Sequence, residues 1–189
     1  PDAPVTRAQM ATLIVRAFEA TKTSNITAFV DCDKDAWYYN YVSQAVQMGI
    51  LSGNGNSMNP YSRITRQEAA CVLCRAFNLY GYTANLNQYT DGGSVASYAR
   101  NSVAACRGAG VLTASDGKIN PNKELTRAEF TYAMYQVVQH YVSSQVPFSG
   151  NSNIRGSIMV TTPNVTLNNT SISGNMYIGD GVENGSLTL

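Results

Sequence analysis

Three arginines at equivalent positions are the residues of this chain best suited to binding chemistry. They are Arg7, Arg66 and Arg127, and each directly follows a threonine at the start of an amphipathic stretch. A guanidinium is a planar donor with a permanent charge, and it suits a carboxylate or a phosphate. A cation in the first turn of a helix opposes the helix dipole, so folding alone does not account for it. We therefore expect these arginines to take part in an anion-binding site.

The sequence around each arginine predicts the start of a helix. In all three copies the threonine is followed three residues later by Gln or Glu, as in Thr65 and Glu68, which is a capping box. A helix N-terminus also offers unpaired N–H groups and a partial positive charge, which would add to the anion site. The alternative is that each arginine forms an ion pair with an acidic residue of the neighbouring copy, for which Asp31 and Asp91 are the candidates.

These helices belong to a long internal repeat. Their starts lie 59 and then 61 residues apart, and several other residues recur at nearly the same spacing. The recurring pairs are Pro60 and Pro121, Asp31 and Asp91, Trp37 and Tyr98, and Gly49 and Gly110. A unit of two amphipathic helices cannot bury its apolar face alone, so we expect a mainly α fold in which the repeats pack on one another. The predicted units are the second half of a first repeat (1–22), a second repeat (26–83) and a third repeat (86–142).

The repeats resemble the S-layer homology (SLH) domain family over residues 1 to 142. The second repeat carries the family pattern as Phe29-Val30-Asp31, Trp37, Gly49-Ile50-Leu51-Ser52-Gly53, Pro60 and Ile64-Thr65-Arg66-Gln67-Glu68. The third repeat carries it as Tyr89-Thr90-Asp91, Tyr98, Gly110-Val111-Leu112-Thr113-Ala114, Pro121 and Leu125-Thr126-Arg127-Ala128-Glu129. Several linked elements at fixed spacing make the resemblance specific. The third repeat departs from the pattern where Tyr98 replaces Trp and Ala114 replaces Gly, which puts its groove in doubt.

The resemblance implies a fold of three pseudo-symmetric helical prongs that binds secondary cell-wall polymers, often pyruvylated, in grooves between repeats. By that resemblance, the arginine receives the carboxylate of the pyruvate ketal, and the Asp, aromatic and Gly positions line the groove. The expected groups are Arg7 with Asp31 and Trp37, and Arg66 with Asp91 and Tyr98. Arg127 would need the front half of the first repeat.

The other residues expected in the groove also have simpler explanations. Trp37 and Tyr98 could pack at helix starts or offer a platform on which a sugar ring stacks. Gly49 and Gly110 could terminate helices, or they could let a ligand approach the backbone.

The composition argues against nucleic-acid binding and a membrane span. Charged residues make up 13% of the chain, the formal net charge is +1, and the basic residues are spread out. A nucleic-acid surface would need a concentrated basic patch. No run of eighteen apolar residues is present, so we expect no transmembrane helix.

Metal, cofactor and catalytic sites are not indicated. Asp31, Asp33 and Asp35 have the spacing of a calcium loop, but Ala36 stands at the sixth position and Val42 at the twelfth, where Gly and Glu are needed. We expect instead that Asp33 or Asp35 caps a helix that begins at Trp37. His140 is the single histidine and is predicted to lie in a helix, so a Ser-His-Asp or Cys-His site lacks its parts. No particular pair of carboxylates is indicated either.

The four cysteines fit best as small buried apolar residues. Cys71 and Cys74 lie on one face of the second capped helix, and Cys106 aligns with Ala45 of the previous repeat. We therefore favour packing over redox or metal chemistry, while their spacing leaves disulfide connectivity open.

The sequence changes character after residue 142. Residues 143–153 are rich in Ser, Asn and Gly and are predicted to be a linker. In 154–189, apolar residues alternate, and two blocks recur: Ile154–Val160 matches Ile172–Ile178, and Val165–Leu167 matches Leu187–Leu189. The spacings of 18 and 22 residues suit coils of a β-solenoid, a segment similar to the β-helices often found after SLH repeats. We expect the natural protein to continue beyond Leu189.

The functional prediction is a non-enzymatic module that anchors an exported protein to a bacterial cell wall through an anionic, pyruvylated secondary cell-wall polysaccharide. The location implied is extracellular, at the cell wall or cell surface. One alternative is a fragment of a polysaccharide-processing enzyme whose catalytic β-helix lies downstream. Another is a structural surface-layer or adhesin subunit, which would self-associate.

Overall fold

The computed structural model describes residues 1–143, 148, 153–183 and 185–188. This described part is mainly α-helical, with short strands towards its end. Its α-helices are α1 (Arg7–Ala17), α2 (Tyr39–Gln47), α3 (Arg66–Ala76), α4 (Arg100–Gly108) and α5 (Arg127–Val137). α1 packs against α2, and α3 packs against α4. None of these helices is both long enough and apolar enough to cross a membrane.

The capping boxes form at the predicted positions. Each threonine hydroxyl accepts a hydrogen bond from the N–H three residues later, at 3.2–3.4 Å. The Gln or Glu side chain at that later position accepts from the N–H of the threonine, at 2.8–3.0 Å. The predicted starts of α1, α3 and α5 are therefore confirmed, and each arginine occupies the first helical residue.

A closed ring of hydrogen bonds joins the segments that lead into these three helices. Val5 N–H donates to Leu125 O, Leu125 N–H to Ile64 O, and Ile64 N–H to Val5 O, each at 2.9 Å. All three residues are buried in the core. The ring holds the N-termini of α1, α3 and α5 close together, although they are far apart along the chain.

The predicted cap of the first helix in the second repeat is wrong. α2 begins at Tyr39 rather than Trp37, and its N-cap Tyr38 makes no side-chain cap. Asp33 Oδ1 instead accepts from Asp35 N–H at 3.0 Å. An aspartate that bonds to the backbone two residues later forms a local turn, and this turn competes with capping a helix further along.

The strands pair in parallel at a regular offset along the chain. They are β1 (His140–Val142), β2 (Asn153–Ile154), β3 (Ile158–Val160), β4 (Val165–Thr166), β5 (Ser171–Ile172), β6 (Met176–Ile178) and β7 (Leu187–Thr188). Paired residues lie 18 positions apart in β1–β3, β3–β6 and β2–β5, and 22 apart in β4–β7. These strands form one three-stranded and two two-stranded sheets in the described part of the chain.

The strand region begins earlier than the sequence predicted. His140 lies in β1 and not in a helix, because α5 ends at Val137 and the next residues pair with β3. Most of the predicted linker, namely residues 144–147 and 149–152, lies outside the described residues, as does Leu189.

The strand region packs against the C-terminal ends of α1 and α3. Tyr177 stacks edge-on against Phe77, with ring centroids 5.2 Å apart. Asp180 N–H donates to Phe18 O at 2.9 Å. The Thr161 hydroxyl donates to Glu19 Oε1 at 3.0 Å. These contacts join the helices and the strands through both apolar packing and hydrogen bonds.

Candidate functional site

Arg7 binds a loop of the following repeat. Its Nε donates to Met58 O at 2.9 Å, and its Nη2 donates to Ser52 O at 2.8 Å. Nη1 makes no hydrogen bond to the described residues. The Arg7 side chain is half-buried. Its Nε and Nη2 groups hold the loop, whereas Nη1 remains available to another partner.

Asp31 holds the same loop from within its own repeat. Its two carboxylate oxygens accept from Met58 N–H at 2.8 Å and from Asn59 N–H at 2.7 Å. Burial alone would raise the pKa of this carboxyl, but the two backbone N–H donors outweigh it and, with the nearby Arg7 charge, lower the pKa below its usual value. Because both carboxylate oxygens accept hydrogen bonds from the loop, the role of Asp31 in this structure is to hold that loop in place.

Arg66 repeats this arrangement in the next repeat but is much more deeply buried, at 3% exposure. Its Nε donates to Ile119 O at 2.9 Å, its Nη2 donates to Thr113 O, and its Nη1 forms a 2.6 Å ion pair with Glu129. Asp91 accepts from Ile119 N–H at 2.8 Å and from Asn120 N–H at 2.7 Å. All three guanidinium nitrogens of Arg66 therefore have protein partners.

Arg66 therefore forms an ion pair with an acidic residue of the neighbouring repeat, as the alternative hypothesis predicted, but this residue is not the predicted candidate. Glu129 of the third repeat, not Asp91, takes the charge. Burial raises the pKa of Glu129, yet the Thr126 N–H and the Arg66 guanidinium outweigh it and lower the pKa overall. Burial lowers the pKa of Arg66, and the Glu129 charge opposes this shift.

The helix N-termini themselves do not offer free N–H groups, contrary to the sequence-based expectation. In α1, Arg7 N–H donates to Ser62 O and Ala8 N–H donates to Pro60 O, both at 2.9 Å. The equivalent groups of α3 bond to Lys123 and Pro121, and those of α5 bond to Ala3 and Pro1. The threonine caps use the third N–H. An anion at these sites must therefore be bound by side chains.

Of the three helix-start arginines, Arg127 is the one with a free guanidinium. It is exposed, and it makes no hydrogen bond or ion pair with any residue in the described ranges. It lines a cavity of about 360 Å³ between α1 and α5, together with Trp37. The remaining lining residues are Val5, Gln9, Thr12, Leu13, Phe130 and Thr131. A largely apolar cavity lined by both a free cation and an aromatic ring is suited to a sugar that bears a negative charge.

The aromatic residues are grouped differently from the expectation. Trp37, which is 53% exposed, lies with Arg127, and its predicted partner Arg7 is not among the residues that line this cavity. Tyr98, 63% exposed, lies within electrostatic range of Arg7. Burial raises the pKa of Tyr98, the Glu68 charge adds to the rise, and the Arg7 charge opposes it.

The two glycines at equivalent positions of the repeats, Gly49 and Gly110, act as helix terminators. Gly49 has φ +70° and Gly110 has φ +72°, the left-handed conformation that favours glycine. A Cβ at either position would meet no atom within 4 Å, so close packing does not require glycine there. The backbone conformation alone accounts for both residues.

Metal binding receives no support in the described part of the chain. No cluster of three or more His, Cys, Asp or Glu side chains there could hold an ion.

Several residues that line the cavity were not predicted from the sequence, namely Gln9, Thr12, Phe130 and Thr131. Their helical spacing assigned Phe130 to the core, and the capping box accounted for Gln9, so no signal in the sequence directed either one to a ligand.

Comparison with known proteins identifies the repeat family. The S-layer homology domain model matches residues 28–70 and 88–131. The surface-layer 125 kDa protein of Lysinibacillus sphaericus is 30% identical over 141 residues, which is 72% of this chain and 12% of that protein. An amylopullulanase of Thermoanaerobacterium thermosulfurigenes is 27% identical over 144 residues, 74% of this chain and 8% of that protein. Exoglucanase XynX of Acetivibrio thermocellus is 26% identical over 144 residues, 74% of this chain and 13% of that protein. The chain thus spans only a small fraction of the length of these relatives.

Proposed function

Because residues 28–70 and 88–131 are S-layer homology repeats, we propose that this chain anchors an exported protein to the surface of a bacterial cell. The ligand we propose is an anionic, pyruvylated secondary cell-wall polysaccharide. Similar repeats in a surface-layer protein and in large glycosidases support a module that serves different attached proteins. The module itself is not proposed to be catalytic.

The observation that carries this proposal is that the free guanidinium of Arg127 and the ring of Trp37 line the same cavity. The planar donor can take both oxygens of a ketal carboxylate, and the indole ring offers a face for the sugar. Gln9, Thr12 and Thr131 add polar groups that can bond to hydroxyls. Charge, stacking and hydroxyl contacts in one cavity discriminate an acidic sugar from a neutral one.

A second site at Arg7 follows from the same logic. Arg7 keeps Nη1 available, and the exposed side chain of Tyr98 lies within electrostatic range of Arg7. A tyrosine is a smaller stacking surface than a tryptophan, so this second site should bind the polymer more weakly. Arg66 has no free donor nitrogen, and we assign it a structural role between the second and third repeats. Asp31, Asp91, Gly49 and Gly110 then shape the grooves without touching the ligand.

We also propose the larger architecture expected from the sequence. Residues 1–22, 26–83 and 86–142 would form a pseudo-threefold helical bundle, which the ring of hydrogen bonds through Val5, Ile64 and Leu125 supports. A β-solenoid would begin with β1, ahead of the proposed linker at 143–153, and continue through residues 154–189, which the parallel pairing at offsets of 18 and 22 residues supports.

A sedimentation assay with purified cell walls tests the proposed function. The chain should sediment with walls that carry the pyruvylated polymer, and it should stay in solution with walls whose ketals have been removed by mild acid. Arg127→Ala and Trp37→Ala should each lose most of the retention. The matched control is Arg63→Ala, which removes an exposed cation that pairs with Glu124 at 3.0 Å outside the cavity.

Two results would overturn the proposal. Equal retention of wild type and Arg127→Ala would remove the cavity from the mechanism. Equal retention on untreated and acid-treated walls would show that the pyruvate carboxylate is not the group recognised.

A further inference from the structure

Two buried cysteines face each other where the second and third repeats meet. The four cysteines are buried, as the sequence predicted. Cys74 on α3 and Cys106 on α4 are both fully buried, on two helices that pack against each other. The Cys106 thiol donates to Ala70 O at 3.4 Å, and Ala70 lies one helical turn before Cys74 on α3, so the two thiols lie close together. The two thiols thus come from different helices and from different repeats.

The surroundings of this pair favour ionisation of one thiol over the other. The Cys106 thiol lowers the pKa of Cys74 to about 7; burial opposes this shift, and the hydroxyls of Ser102 and Tyr80 reinforce it. The neighbouring Cys74 thiol, together with burial, raises the pKa of Cys106. A thiolate is the reactive form of cysteine, so Cys74 is the nucleophile of the pair and Cys106 the second, resolving thiol.

Packing does not require cysteine at either position. The contact between α1 and α2 is the equivalent one in the preceding repeat pair, and it has Val15 and Ala45 at the matching places. Both of these residues are buried. Small apolar side chains therefore fill the equivalent contact equally well, and the facing thiols add chemistry that packing alone does not use.

We propose that Cys74 and Cys106 form a disulfide that cross-links α3 to α4 and so joins the second repeat to the third. The oxidant is a low-molecular-weight disulfide. The Cys74 thiolate attacks one of its sulfurs, forms a mixed disulfide and expels one thiolate. Cys106 loses its proton to that thiolate and attacks the Cys74 sulfur, which expels the second thiolate. Two protein thiols are oxidised, and one small disulfide is reduced to two thiols. Because both sulfurs are buried, the exchange occurs before α4 packs on α3 or during local opening.

Oxidative refolding of the whole chain tests this site. Reduced protein is refolded with excess oxidised glutathione, its remaining thiols are alkylated, and its peptides are mapped by mass spectrometry. The expected result is two alkylated cysteines, Cys32 and Cys71, and one peptide pair that links Cys74 to Cys106. The cross-link should raise Tm by about 5–10 °C, and a reductant should reverse the rise.

The chain supplies its own control. A Cys74→Val/Cys106→Ala variant carries the residue pair found between α1 and α2, so it should fold with a Tm that does not respond to reductant. Cys32→Ser should behave as wild type. Four alkylated cysteines after oxidation, or a peptide pair that includes Cys71, would overturn the proposal.

Discussion

Arg7 and Asp31 bind the two backbone groups of one residue, Met58. Arg7 Nε donates to Met58 O at 2.9 Å, and Asp31 Oδ1 accepts from Met58 N–H at 2.8 Å. Arg66 and Asp91 hold Ile119 in the same way. The arginine of one repeat and the aspartate of the next thus fix a loop together without pairing directly. One role of this arginine is to hold neighbouring repeats together. It can have a second role in ligand binding only where some of its N–H groups remain free.

Asp31→Asn should destabilise the fold. The amide can accept from one N–H, but its NH₂ group cannot accept from the other, so one backbone donor loses its partner. The expected cost is about 1–3 kcal/mol of unfolding free energy. Urea denaturation measures it, and Asp35→Asn, which alters an exposed carboxylate, serves as the control. An unchanged urea midpoint for Asp31→Asn would contradict the role of this carboxylate in holding the loop.

Stability should fall at acid pH because of three carboxylates. Asp31, Asp91 and Glu129 have pKa values below their ordinary ones in the folded chain, so the unfolded chain binds protons more readily. Their contribution is complete above about pH 5 and is lost as pH falls through about 4 and then through the lower folded-state values. Urea midpoints measured from pH 6 to pH 3 should decline less steeply in an Asp31→Asn/Asp91→Asn variant. Parallel curves for variant and wild type would refute this assignment.

Arg66→Ala should destabilise the fold, whereas Arg127→Ala should leave its stability almost unchanged. The first removes a buried cation with three acceptors and should cost about 2–4 kcal/mol of stability. The second removes an exposed side chain and should change stability by less than about 0.5 kcal/mol. Arg66→Lys, which keeps the charge but cannot reach all three acceptors, should fold and be intermediate. Thermal unfolding of the three variants tests this order, and a stable Arg66→Ala protein would be inconsistent with it.

Gly49→Ala should weaken the fold without affecting wall binding. Its left-handed φ is unfavourable for a residue with a Cβ, so we expect a cost of about 1–2 kcal/mol. Gly81 provides the control, since an added Cβ there also meets no atom within 4 Å and φ is not in the left-handed region. Gly81→Ala should therefore be tolerated. Loss of wall binding by folded Gly49→Ala would indicate that the glycine admits a ligand after all.

Local signals in the sequence predicted local structure well. The capping boxes at Thr6, Thr65 and Thr126 depend on residues only three positions apart, and all three form. The cap predicted for α2 failed because Asp33 found a closer partner in its own turn. β1 was missed because the apolar residues after α5 continue the helical pattern, while the pairing that makes them a strand comes from β3, 18 residues later.

The grouping of the site residues could not be predicted from spacing. Arg127 and Trp37 are 90 residues apart in the sequence, and both reach the same cavity because α2 packs on α1 and the hydrogen-bonded ring joins the first repeat to the third. The expectation from the sequence instead placed Arg7 with Trp37 and Arg66 with Tyr98, the aromatic position of the repeat that follows each arginine. The N–H groups at the helix starts bond to loops of other repeats. A sequence pattern within one repeat could therefore not predict that these N–H groups are occupied.

The most direct test of the central claim uses the fluorescence of Trp37, the single tryptophan of the chain. A pyruvylated saccharide released from the wall polymer is titrated into wild type, Arg127→Gln and the control Arg63→Gln. We predict a saturable change in emission for wild type and the control, and an affinity at least about tenfold weaker for Arg127→Gln, as expected for loss of a charge-assisted contact. Equal affinities for wild type and a folded Arg127→Gln variant would contradict the claim that Arg127 and Trp37 form the binding site.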